Sequence, residues 1–103
     1  MNVVLTNRAR TYSANGIFDP TTKTLVVKAG SSVSKDISHS LTFRGIKILE
    51  KRRAQYVIDG ITTEDVLFKS PSTAANFVTG RSSNGMILWK TEKGLSIKQV
   101  LLE

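Results

Sequence analysis

Cysteine is missing altogether from the 103 residues, which excludes disulfides and thiolate metal sites and suits a reducing cytoplasm. Histidine occurs once, at His39, in a polar stretch with no cysteine to complete a ligand set, so no metal and no cofactor is expected. No apolar run approaches the roughly 18 residues that span a bilayer. The short run Val3-Val4-Leu5 has no basic segment ahead of it, so no signal peptide is expected either. Internal repeats and Pro- or Gly-rich linkers are also lacking, and residues 1–103 read as one domain long enough for a single core. These absences point to a soluble, cytoplasmic protein without a membrane partner.

What the chain does have is charge of one sign. Fifteen Lys and Arg stand against eight Asp and Glu, a formal net charge of +7, within an otherwise ordinary composition of 40% hydrophobic and 22% charged residues. The excess is uneven: residues 1–52 hold nine basic and three acidic side chains, residues 53–103 six and five. A field of this sign attracts polyanions. It is equally compatible with simple solubility.

Short segments alternate along the chain. Arg10–Phe18 reads as a strand weakened by Gly16, Asp19-Pro20-Thr21-Thr22 as a turn, and Thr24–Lys28 as the partner strand of a hairpin. Residues 33–40 are polar and read as a loop. Leu41–Arg53 is predicted as a helix capped by Ser40, with Leu41, Ile46, Ile48 and Leu49 on one broad face. Arg44, Lys47 and Lys51 fall within about 60° on the flank of that face, a basic stripe or simply a solvated surface.

Gln55–Ile58 reads as a strand, Asp59-Gly60 as a hairpin turn, and Ile61–Phe68 as the returning strand. Ser70-Pro71 is a strong helix start, Ala74, Ala75 and Val78 form its small packing side, and Gly80 its end. Asn84-Gly85 reads as a turn, Met86–Lys90 as a strand bearing Trp89, and Ser96 as the cap of a short helix over Ile97–Leu102. Leu102-Glu103 reads equally as the end of that helix or as a cloning remnant. The expected fold class is α+β: a small, mostly antiparallel sheet with two helices packed on it and a short C-terminal helix.

Catalytic chemistry finds no footing here. Glu64 and Asp65 are adjacent, so on a strand they face opposite sides and cannot converge. Ser70, Ser72, Ser82 and Ser83 lack an evident base and a nucleophile elbow. The stretch Gly80-Arg81-Ser82-Ser83-Asn84-Gly85 lacks the Lys-Ser/Thr ending of a phosphate loop and does not lead into a predicted helix. The chain is therefore expected not to be an enzyme.

The run F-K-S-P-S-T-A-A-N-F-V-T-G-R-S-S-N-G-M-I-L-W-K, residues 68–90, resembles the Ser-Pro-Ser-x-Ala-Ala and Gly-Arg-Ser-x-Asn-Gly-Trp-x-x-Trp signature of the DUF4357 family. It is also similar to the restriction-enzyme and adenine-methylase-associated (RAMA) domain. Upstream, Ala9-Arg10 with Tyr12, Val26-Val27, Lys28-x-Gly30-Ser31, and the Arg44-bearing helix followed by Tyr56 and Asp65 extend the likeness over almost the whole chain. Met86 stands where the family usually has Trp; Trp89 is retained. If that indole stacks on a ligand in relatives, the contact is weakened here; if it is core, Met fills the volume.

The resemblance implies an accessory domain of the kind found C-terminal to GIY-YIG-type nucleases and in restriction-modification proteins, a warrant by association. The expected partner is nucleic acid, DNA above all, bound through Arg44, Lys47, Lys51, Arg52, Arg81, Ser82, Asn84 and Lys90, with Arg53 assisting. Trp89 or Tyr56 would stack on a base or anchor the core. Ser70, Pro71, Ser72, Ala74, Ala75, Gly80, Gly85 and Trp89 form the structural signature. The alternative is an adaptor that docks a nuclease or methylase domain through exposed Phe77, Met86 or Ile87.

Overall fold

Two-residue alternation builds the main sheet in the computed structural model, which describes residues 1–38 and 45–102. Strand β1 (Asn2–Thr6) pairs antiparallel with β2 (Ser13–Phe18), and β2 with β3 (Leu25–Val27). In β2, Ala14, Gly16 and Phe18 turn inward while Ser13, Asn15 and Ile17 face solvent. Gly16 lies under Trp89, where a Cβ would press on both that indole and Leu25. The glycine that weakens the strand locally thus makes room for the largest core side chain. The β2–β3 turn is set by Asp19, whose carboxylate accepts the Thr21 amide at 2.8 Å.

Helix α1 (Ile46–Tyr56) follows, then the small antiparallel hairpin β4 (Val57–Ile58) and β5 (Ile61–Thr62). Asp59 and Gly60 at its tip both adopt left-handed backbone, as a two-residue hairpin turn requires. Strand β6 (Val66–Phe68) then returns to the main sheet beside β3, giving the order β1-β2-β3-β6. Helix α2 (Pro71–Thr79) lays Ala74, Ala75, Phe77 and Val78 on the inner face of the sheet. Two short helices, α3 (Gly85–Leu88) and α4 (Ile97–Leu101), close the chain, the latter with a reciprocal Ser96–Gln99 capping box. The protein is an α+β fold with one core, centred on Trp89, Phe18, Phe77, Leu5, Leu25 and Ile97.

Several elements differ from the sequence expectation. The segment Met86–Lys90 is not a strand: Asn84 caps α3 by accepting the Met86 amide, and only Lys90 returns to extended pairing, opposite Val4. Gln55 and Tyr56 extend α1, leaving a strand of only Val57–Ile58. Ile61–Phe68 is split between two sheets because residues 63–65 turn away. Thr63 bonds back to Tyr56, and Asp65 accepts the Ala29 amide and pairs with Lys28 at 2.8 Å. Strand β1 has no counterpart in the sequence reading. Ser40, Leu41 and Arg44 lie outside the described residues; the described helix starts at Ile46, after left-handed Gly45. Ile48, expected on the buried face of α1, is 63% exposed.

Candidate nucleic-acid interface

The structure turns the signature run into a clasp around α2. Ser70 caps the helix by accepting the Thr73 amide, and Pro71 occupies its first turn. Gly80, in left-handed backbone, ends it, and the chain doubles back along the helix. Ser83 N–H donates to the Asn76 side chain at 2.8 Å, and Thr79 and Ser83 hydroxyls meet at 2.7 Å. At the start of α2 the Gly85 amide donates to Ser72 Oγ at 3.0 Å, and the Trp89 indole donates to the Pro71 carbonyl at 3.1 Å. A Cβ on Gly85 would collide with the Pro71 backbone, and one on Gly80 with the Asp36 carbonyl. Ser-Pro-Ser and Gly-Arg-Ser-x-Asn-Gly are therefore two halves of one fastening. Met86 is half-buried and packed on the core.

Arg53 is committed to the same fastening. Its guanidinium donates to the Phe77 and Val78 carbonyls at the end of α2, and to the Ser34 carbonyl and hydroxyl. A cation at the last carbonyls of a helix complements its dipole, and burial pushes this guanidinium below its ordinary value. Four of its five N–H donors are spent on these internal acceptors, which holds it to the body of the protein. Trp89 is fully buried and Tyr56 half-buried against the core, so Trp89 anchors packing and offers no stacking face.

What the clasp leaves outside is Arg81 and Ser82. Both are exposed, and neither side chain has a hydrogen bond or ion pair to another described residue. Arg81 stands on the ridge between two hollows. The first, about 420 Å³, is lined by Lys35, Asp36, Ser34, Thr79 and the pair Asn7 and Thr11. The second, about 440 Å³, is lined by Ser82, Ser83, Asn84, Ile87, Leu88 and again Asn7 and Tyr12. Asn7 and Thr11 are locked together, since the Asn7 amide donates to the Thr11 hydroxyl at 2.7 Å and accepts the Thr11 N–H at 2.9 Å. The tight loop they close carries Arg8 and Arg10, both exposed. Lys35 and Arg81 thus line one hollow, with Asp36 the acid among its lining residues, and the loop carrying Arg8 and Arg10 rises from two further lining residues, Asn7 and Thr11.

Of the residues singled out in the sequence, Arg81, Ser82 and Asn84 line the second hollow, and Lys90 lies two residues beyond Leu88. Lys47 and Lys51 are exposed on α1 and lie about 160° from Leu49 around the helix, pointing away from the body. Arg52 lines a separate groove that shares no residue with either hollow. Arg44 lies outside the described residues. Arg8 and Lys35 were not singled out: nothing local links them to Arg81, which is more than forty residues distant.

Among the described residues no group of three or more His, Asp or Glu stands together to hold a metal ion, and no helix is long and apolar enough to cross a membrane. The fold and its clasp define a small α+β domain whose signature is spent largely on its own closure. The family model for the domain of unknown function DUF4357 matches residues 5–101, and the chain belongs to that family. No curated protein and no solved structure matches the chain.

Proposed function

We propose that this domain is a non-catalytic, nucleic-acid-binding module that grips the phosphate backbone with the end of the molecule around Arg81. One observation carries the reading: Arg81, within a signature largely consumed by internal bonds, presents a guanidinium that bonds no described residue, beside a loop bearing Arg8 and Arg10. Arginine matches phosphate with a planar, bidentate donor fork. A net charge of +7 supplies the attraction at longer range. The proposed ligand is DNA, and the proposed setting is the cytoplasm, in company with nuclease or restriction-modification proteins. Lys90 and the hydroxyl of Ser82 extend the contact; Lys47 and Lys51 on α1 act at most as a second, weaker patch.

The test is a titration of labelled single- and double-stranded DNA at two salt concentrations. Affinity that falls steeply with salt supports the reading, and Arg81→Ala weakens it at both concentrations. Absence of salt-sensitive binding to either form overturns it. The adaptor reading retains one specific support, Ile87 at 45% exposure beside Arg81, but loses Phe77, which is buried in the core.

A further inference from the structure

The groove on the other side of α2 has a different chemistry. It lies between α1 and the β6–α2 junction, encloses about 460 Å³, and is lined by Ile48, Leu49, Phe68, Phe77, Arg52 and Lys69 together with Gly45, Thr73 and Asn76. Its floor is apolar: Phe68 and Phe77 pack with ring centroids 5.0 Å apart, and Ile48 forms an exposed aliphatic ledge on one bank. Among the described lining residues the charge is of one sign, from Arg52 and Lys69, with no acid. Arg52 is already held in place, with its guanidinium carbon 5.3 Å from the Phe68 ring centroid and one N–H directed to the Leu67 carbonyl. Its guanidinium makes no other hydrogen bond to a described residue.

We propose that this groove docks a peptide of a partner protein that presents one bulky apolar side chain with a carboxylate within two residues of it. The volume suits one such side chain and its backbone, and lies in the range of ordinary ligand sites. Apolar anchor and acid are both needed, because the exposed Ile48 ledge rewards desolvation while Arg52 and Lys69 reward a carboxylate held at the rim. A nucleobase fits poorly: it needs an exposed π face to stack on, and both phenyl rings of the groove are buried. A second copy of this chain is disfavoured by mutual repulsion of two molecules of charge +7. The proposal stands on a different surface from Arg81 and does not depend on nucleic-acid binding.

The test pans a phage-displayed library of random dodecapeptides against the whole protein and measures the best synthetic peptide by anisotropy, with Ile48 methyl NMR signals to locate it. The expected consensus is one Phe, Leu, Met or Trp with Asp or Glu adjacent or one residue removed. Ile48→Asp and, separately, Lys69→Glu lower affinity by about tenfold or more. Lys69 is exposed and bonds nothing in the described structure, so its variant folds normally. Consensus peptides without acids, or affinity indifferent to both variants, overturn the proposal. So does an oligonucleotide that shifts the Ile48 signals, or a concentration-dependent dimer that does the same.

Discussion

The indole N–H of Trp89 donates to the carbonyl of Pro71, tying the residue after α3 to the first turn of α2. The bond is buried, and it adds to the Ala75 N–H that helix geometry brings to the same carbonyl. Trp89→Phe keeps an aromatic ring but loses this bond and part of the indole's volume, and it is expected to cost about 1–3 kcal/mol in urea unfolding. As the sole tryptophan, Trp89 also reports directly. Its emission is expected to be blue-shifted and unchanged by added DNA; quenching by DNA would contradict its assignment to the core.

Glycine substitutions separate backbone strain from crowding. Gly94 and Gly80 both have left-handed backbone, but Gly94 faces open space and Gly80 faces the Asp36 carbonyl and Ser34 hydroxyl. Gly94→Ala is expected to cost about 1–2 kcal/mol from backbone conformation alone. Gly80→Ala adds overpacking of about 1–3 kcal/mol. Gly85→Ala is expected to be as damaging as Gly80→Ala, because its Cβ meets the Pro71 backbone. Equal stability of the Gly80 and Gly94 variants would contradict the clasp.

Arg53 is a structural cation. Arg53→Ala removes the donors to Phe77, Val78 and Ser34 and is expected to lower stability by about 2–3 kcal/mol, as for lost hydrogen bonds to a charged group. Arg53→Lys rescues only in part, since an ammonium cannot span the same acceptors. Full rescue by lysine, read from thermal melts, would contradict the geometry.

Asp65 couples the fold to acid. The Lys28 side chain and the Ala29 amide hold its carboxyl below the ordinary 3.8. A carboxyl depressed in the folded state stabilises above its unfolded value, and that contribution disappears as pH falls through the folded value. Stability is therefore expected to decline below about pH 4, with Asp65→Asn shallower over that window. Asp19, lowered by the Thr21 and Thr22 amides, leaves a residual slope in the variant. An unaltered slope in Asp65→Asn would remove Asp65 from this role.

Local signals made much of the architecture readable. Ser70-Pro71 and Gly80 bound α2 because caps act through neighbouring backbone, and Asp59-Gly60 marks its hairpin for the same reason. Helix α3 is not legible in the sequence because Asn84-Gly85 serves equally as turn and as N-cap. The choice rests on tertiary contact: Gly85 against Pro71, and Trp89 over Gly16. Strand β1 escaped notice because Val3-Val4-Leu5 does not alternate in sequence. Val4, between buried Val3 and Leu5, is half-buried, and its backbone pairs along the strand edge with Lys90. At the site, Arg81, Ser82 and Asn84 were legible as a loop, whereas Arg8 and Lys35 join them only through the folded sheet. Arg53 was indistinguishable from Arg52 in sequence; the two differ by 100° around the helix, enough to send one to the end of α2 and the other over Phe68.

The most direct measurement is the salt dependence of duplex binding for two charge sets, Arg8, Arg10, Lys35 and Arg81 against Lys47 and Lys51, each replaced by alanine and checked for unchanged melting. Each lost phosphate contact flattens the log–log slope by about 0.9. The first set is expected to remove about 2–4 such steps and the second fewer than about one. A slope unmoved by the first set, or moved more by the second, would contradict binding at the Arg81 end of the molecule.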